Sequence, residues 1–277
     1  MSVSSASLFR RDGYVVARGL FDAAETERLR EHYMTVRHQS PRKHEEAGVG
    51  SDTRDPLRRY PRLGQMHRWD QTSLRWLLDE RIRDWLVDLL GAEPYAVQSM
   101  LYFKPPGSRG QALHQDNFYL KVEPGTCMAA WLALDRTDTE NGCMMVVPGS
   151  HEWPVLCTEK ADTKVSFTDV TVPLPARQAP VPVPMEAGDV LFFNGSLAHG
   201  SFPNTSTDRF RRALIGHYIQ AEAEKVAVYY HPVLRMDGST LKLAVSEGGG
   251  ECGVWVDEDG EPTIAMTGQQ TVVRKHE

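Results

Sequence analysis

The spacing of apolar residues changes character along the chain. Residues 6 to 20 read as a short helix followed by a strand, Tyr14-Val15-Val16-Ala17. Asp22 then reads as a helix N-cap before Ala-Ala-Glu-Thr-Glu, with acids in the first turn. That helix should run to about His38, with Ala23, Leu29, Tyr33 and Val36 on one face. A second helix is expected from Ser73 to Gly91, with the glycine as its stop. From Ala96 onward, short β-rich runs are separated by Pro/Gly turns: VQSMLYFKPPG, MAAWLALD, CMMVVPGS, DVLFFNG and RRALIGHYI. This pattern predicts a β sandwich or barrel. Beyond residue 220, Val254-Trp255-Val256 and Thr271-Val272-Val273 add strand signals around an Asp-Glu-Asp-Gly turn. No repeat or linker interrupts the chain. The expectation is one domain over 1–277: helices in 1–95, a β core in 96–220 and an extension in 221–277.

Residues 37–70 break the pattern. They hold eight Lys/Arg, five Asp/Glu and three prolines among few aliphatics, and read as a long loop or lid. The local balance of +3 contrasts with a net charge of -6 for the chain. A basic lid on an acidic protein fits an anionic substrate, and a solvated loop of mixed charge fits equally well. The acidic balance argues against nucleic-acid binding by phosphate neutralisation. The 277 residues, 41% hydrophobic and 25% charged, make an ordinary globular mixture. No apolar stretch approaches the ~18 residues of a membrane span, and no secretory signal is evident. Cys127, Cys143, Cys157 and Cys252 form no C-x-x-C pair and fit neither a zinc knuckle nor a disulfide scaffold. A cytoplasmic location is therefore expected.

The chemistry centres on His114-Gln115-Asp116, after a strand-like run. In an extended segment, residues two apart project to one face. Downstream, a strand through Gly-Asp-Val-Leu-Phe-Phe-Asn-Gly leads to His199. Two histidines and one carboxylate on one face of a β core are the facial set of non-haem Fe(II) oxygenases, which leaves three positions open for a bidentate keto acid and O2. Such a cosubstrate needs a buried cation for its distal carboxylate, and arginine's fork suits it. Arg209, Arg211 and Arg212 compete for that role at the start of the next strand. Other matches are set aside. His44-Glu45-Glu46 lies in the charged loop, His151 follows a Pro-Gly-Ser turn, and Gly248-Gly249-Gly250-Glu251-Cys252-Gly253 opens onto Val-Trp-Val instead of the helix that dinucleotide binding requires.

These residues resemble the phytanoyl-CoA dioxygenase (PhyH-like) branch of the Fe(II)/2-oxoglutarate oxygenases. The likeness runs from Phe9-Arg10-Arg11-Asp12-Gly13-Tyr14 to about Tyr218. It rests on the joint order of Lys104-Pro105-Pro106, Leu113-His114-Gln115-Asp116, Ala130-Trp131, Asn141-Gly142-Cys143, Pro148-Gly149-Ser150-His151, Gly188-Asp189, His199-Gly200-Ser201 and Phe210-Arg211-Arg212-Ala213. The resemblance implies a mainly β fold with flanking helices and a double-stranded β-helix (jelly-roll, cupin-like) core. It implies iron on His114, Asp116 and His199. It places 2-oxoglutarate against Arg211, Ser201, Trp131 and Tyr102. Gln98, four residues before Tyr102 on the same face, should point into the cavity towards substrate or cosubstrate, whereas Asn117 and Tyr119, just after the motif, fit a substrate-binding role and the end of a strand equally well. Arg211 stands one residue further from His199 than expected, so Arg209 remains a rival.

The implied reaction converts 2-oxoglutarate and O2 to succinate and CO2 while an unactivated C–H bond of a small metabolite is hydroxylated. Related halogenases carry a small residue where Asp116 stands, so the carboxylate favours hydroxylation. Desaturation, cyclisation or demethylation by the same cofactors stays open. Two other readings also stand: a non-catalytic cupin-like binding module, and an iron oxygenase that does not use 2-oxoglutarate.

Overall fold

The computed structural model describes residues 4–39, 45–46, 55–176, 178–247 and 250–267. Helix Ser5–Asp12 is capped by Ser4, and helix Ala23–Gln39 by Asp22, which exchanges hydrogen bonds with Glu25 (Glu25 N to Asp22 Oδ1 2.7 Å, Asp22 N to Glu25 Oε2 3.0 Å). This reciprocal capping box satisfies two otherwise orphan amides. The helix expected over 73–91 is two helices, Gln71–Leu77 and Glu80–Leu90. Asp79 supplies the break: its carboxylate caps Arg81 N and starts a new helix. Gly91, in the left-handed region at φ 79°, ends it.

Among the described residues the larger sheet has nine strands. Along its main path lie Tyr14–Ala17, Val190–Asn194, Cys127–Ala133, Arg211–Ile219, Tyr95–Lys104, Val233–Leu234 and Thr240–Leu241. A smaller sheet of Val181–Val183, Met144–Val146, His199–Ser201 and Gln111–His114 completes the jelly roll. The central strands are apolar at nearly every position because both faces are buried. Alternate residues serve alternate faces. Met128, Ala130, Leu132, Phe192 and Leu214 pack against helix residues Phe9, Tyr33, Trp76, Ile82 and Leu86. Ala129, Trp131, Ala133, Leu191, Phe193, Ala213 and Ile215 face the other way, into the space between the sheets, and meet Met144 and Val146. The helices thus brace one face, and the site forms on the other.

Two further expectations need correction. Residues 55–70 are not a loop: helix Pro56–Arg59, strand Arg62–Gly64 and a 3-10 turn Met66–Arg68 are built in, and Leu63 and Met66 are fully buried. Arg62–Gly64 pairs with Tyr95–Lys104; a strand of three residues leaves too short a periodicity to detect. Residues 40–44 and 47–54 lie outside the described residues, as do Thr271-Val272-Val273 and two glycines of the glycine-rich run. The extension after 221 is not merely appended, since Val233–Leu234 continues the main sheet. Finally, Cys157 and Cys252 are disulfide-bonded, with Cα atoms 4.9 Å apart. The bond ties the hairpin Cys252–Glu258/Glu261–Thr267 to the segment beside Trp153, whose ring meets Trp255 edge-on at 5.1 Å. Cys127 and Cys143 are free and buried. Ninety-five residues separate the bonded pair, and no sequence spacing announces such a pairing. Among the described residues no helix is long and apolar enough to cross a membrane.

Candidate metal centre and cosubstrate cleft

His114 and His199 are register partners on adjacent antiparallel strands, so the ladder itself brings the rings together, 4.1 Å between centroids and tilted by 50°. Asp116 arrives differently from the two-residue alternation expected. The strand ends at His114, and Asp116 has helical dihedrals (φ -64°, ψ -34°) at the cap of the turn Asn117–Leu120. That bend swings the carboxylate back to lie 3.5 Å from His114 Nε2 and 3.7 Å from His199 Nε2. The intervening Gln115 points away and locks the bend: it accepts from Leu156 N (2.8 Å) and donates to Ser196 O (2.8 Å) and Pro154 O (3.1 Å).

The donor set fits a ferrous ion. One ligand atom each from His114, Asp116 and His199 lies within 4.8 Å of the others. Each histidine's Nδ1 faces a carbonyl oxygen, Ala112 O at 3.0 Å and Leu197 O at 2.9 Å, which can only accept. Nδ1 therefore carries the proton, and the Nε2 lone pair points into the site. Burial, reinforced by the neighbouring His114, pushes His199 down to about 4, so it is a neutral donor at physiological pH. Burial alone would raise Asp116, but the neighbouring His199 and His217, with the hydrogen bond from His217, hold its carboxyl well below the usual range. Two neutral nitrogens and one carboxylate oxygen form the borderline-to-hard set that suits iron(II).

The cleft around this centre is lined by Tyr102, Trp131, Met144, Phe193, Ser201, Arg211, Ile215 and His217 among others. Arg211, Ala213, Ile215 and His217 share the inward face of one strand by simple alternation. Arg211 is 2% exposed, donates from Nε to Gly142 O (3.1 Å), and lies 5.4 Å over the Trp131 ring. Burial lowers it only to about 10, so it stays cationic. Its rivals are accounted for. Arg209 is at the surface, paired with Asp138 and Glu140, and Arg212 faces the opposite way to chelate Asp135. Gly142 is needed here: at φ +88°, a Cβ would come within 2.5 Å of the Lys104 stem. Ser201 accepts a hydrogen bond from Lys104 Nζ (2.7 Å).

The remaining candidates fall in different places. Tyr102 lines the cleft, and its hydroxyl accepts from Arg62 (3.0 Å), whose guanidinium also lies 5.4 Å over both the Tyr102 and Phe167 rings. Tyr119 is at the mouth, 37% exposed, its ring 6.4 Å from His114. Gln98 is buried on the inward face, opposite His217 in the ladder. Asn117 is turned away: its carbonyl oxygen caps Val122 N (3.2 Å) within the turn. His151 reaches Arg10 O and is not part of the ligand cluster. Three residues were not anticipated. His217 Nε2 lies 3.1 Å from Asp116 Oδ2, and Lys104 and Arg62 act as just described. Strand parity would have flagged His217 and Lys104, since both share the inward face with Arg211 and Tyr102.

Comparison with known proteins agrees with this geometry. The family description "Phytanoyl-CoA dioxygenase (PhyH)" matches residues 9–213. A rice protein, phytanoyl-CoA dioxygenase 1, is 32% identical over 161 residues, 57% of this chain and 56% of its own. The matched segment thus spans about half the length of that relative, and 47% of one from Arabidopsis thaliana. The peroxisomal phytanoyl-CoA dioxygenase of Bos taurus is 24% identical over 242 residues, 82% of this chain and 71% of its own. Among solved structures, a non-heme alpha ketoglutarate dependent carbocyclase, SnoK, from nogalamycin biosynthesis superposes with a TM-score of 0.66 at 26% identity, covering 81% of this chain and 86% of its own. The epimerase SnoN from the same biosynthesis superposes with a TM-score of 0.62 at 25% identity, over 79% and 82%.

Proposed function

The chain belongs to the phytanoyl-CoA dioxygenase family, and on that footing we propose that it is an Fe(II)- and 2-oxoglutarate-dependent dioxygenase that hydroxylates an unactivated C–H bond of a small, anionic metabolite, releasing succinate and CO2. The observation that carries this reading is the pairing of a three-ligand centre with a buried arginine in the same cleft. A metal-binding module without turnover has no use for a guanidinium sealed at the inner end.

His114, Asp116 and His199 hold the iron, which supplies O2 activation when bound. The protein's own residues do the rest. Arg211 presents a planar fork to the distal carboxylate of 2-oxoglutarate, and Ser201 adds a hydroxyl beside it. Trp131, Met144, Phe193 and Ile215 wall the cleft and keep water from it. His217 donates to Asp116 Oδ2 and fixes that carboxylate's rotation. At the mouth, Arg62 and Tyr119 flank the entry beside Tyr102. The basic balance of residues 37–70 supports an anionic substrate. The solved relatives that close a ring or invert a centre mean that the same site chemistry can serve outcomes other than hydroxylation.

The test is succinate release with Fe(II), 2-oxoglutarate and O2 against a panel of small carboxylates, phosphate esters and neutral analogues. Release should rise at least about tenfold over the substrate-free background with one class of anion. Stimulation confined to neutral or cationic compounds would overturn the anionic assignment.

A further inference from the structure

Two cations are sealed together at the inner end of the cleft. Lys104 and Arg211 are register partners on neighbouring strands, 1% and 2% exposed. Their hydrogen bonds go to neutral oxygens: Arg211 Nε to Gly142 O, and Lys104 Nζ to Ser201 Oγ and Phe202 O. Among the described residues neither makes an ion pair. Asp135, which acts on Arg211 from a distance, is already chelated by Arg212 and reached by Arg30. Buried charges ordinarily have a counter-charge, because an uncompensated one is severely destabilised.

The two cations differ in how they can escape this. A guanidinium holds its proton under almost any conditions, whereas a lysine amine gives its proton up readily when buried. Burial, and then the charge of Arg211, push Lys104 well below its ordinary range, while Arg211 falls only to about 10. A neutral Lys104 amine still has the two donors that Ser201 and Phe202 require. The titratable groups facing it are Arg211 from the adjacent strand and Cys143 from the segment leading into Met144–Val146. The end of the His199–Ser201 strand offers only the Ser201 hydroxyl and the Phe202 carbonyl.

We propose that Lys104 is a proton-accepting positioning residue of the cosubstrate pocket: when a carboxylate settles against Arg211 and Ser201, one proton passes from solvent to the Lys104 amine, which then holds Ser201 as a charged donor. The inference rests on the reading that this cleft takes 2-oxoglutarate. It accounts for a second buried cation that does not itself line the cleft but grips a residue that does. The keto acid is fully ionised near neutrality, so any proton taken up on binding comes to the protein.

Calorimetric titration of 2-oxoglutarate into the Mn(II)-loaded protein, in buffers of different ionisation enthalpy, counts those protons. The wild type should take up protons as the cosubstrate binds, approaching one per bound molecule at its maximum, and Kd should rise with pH across the range where uptake occurs. Lys104→Met and Lys104→Arg should both abolish the uptake and flatten the pH dependence, the first because no amine remains and the second because the charge is permanent. Thermal melting verifies that each variant folds, and either one suffices. Binding without proton uptake in the wild type, or uptake that persists in a folded variant, overturns the proposal and leaves the cosubstrate reading intact. Absence of any 2-oxoglutarate binding to the metal-loaded wild type overturns both.

Discussion

Replacing His114 with alanine should give a folded protein that retains no ferrous iron and releases no succinate. His114 is at the end of a short strand and lines the cleft outside the apolar core clusters, so its loss enlarges the cleft without removing an apolar core contact. What it removes is one of three ligand atoms whose partners cannot move in to replace it. The His199 ring is pinned by Leu197 O, and Asp116 is pinned by the Gln115 lock and by His217. Even groups standing behind metal ligands typically contribute 10–100-fold to metal affinity, so loss of a ligand should weaken Fe(II) binding by at least about 100-fold. Iron content by elemental analysis and succinate by coupled assay measure the two effects. A variant that keeps stoichiometric iron and full turnover would remove His114 from the ligand set.

Arg211→Ala should separate the two halves of the site. Iron content should stay near that of the wild type, because Arg211 makes no contact with a ligand; its hydrogen bond goes to Gly142 O and its face to Trp131. The cosubstrate should suffer instead. Truncating one partner of a buried, charge-assisted pair typically costs about 2–5 kcal/mol, and at about 1.4 kcal/mol per decade that is roughly a 30-fold or larger rise in KM for 2-oxoglutarate. Arg211→Lys should recover only part of it, since an ammonium lacks the planar fork. Loss of iron in Arg211→Ala, with 2-oxoglutarate affinity unchanged in the remaining holoenzyme, would assign the residue a different role.

Much of this site is legible in the sequence because its motifs keep the joint order of a known family. That resemblance, and not alternation, places Arg211, Trp131 and Tyr102, since strands buried on both faces are apolar at nearly every position. The ligand triad announces itself through residue type and order. What sequence could not supply is the way these parts meet. His114 and His199 converge because their strands are neighbours in register, a tertiary fact. Asp116 reaches them through a helical bend and not through strand alternation. Asn117, expected near substrate from its place beside the motif, is held by that same bend in the local turn, where it caps Val122 N. The strand Arg62–Gly64 is too short to show any period, although it delivers Arg62 to the mouth. The Cys157–Cys252 bond spans distant segments with no local signature.

The central claim is that one cleft holds both a ferrous ion and a keto acid, and anaerobic absorption spectroscopy tests it most directly. Titrating 2-oxoglutarate into the Fe(II)-loaded protein without O2 should raise a weak visible charge-transfer band that saturates at one equivalent per iron. A spectrum left unchanged by the keto acid, in protein shown to carry its iron, would contradict the account.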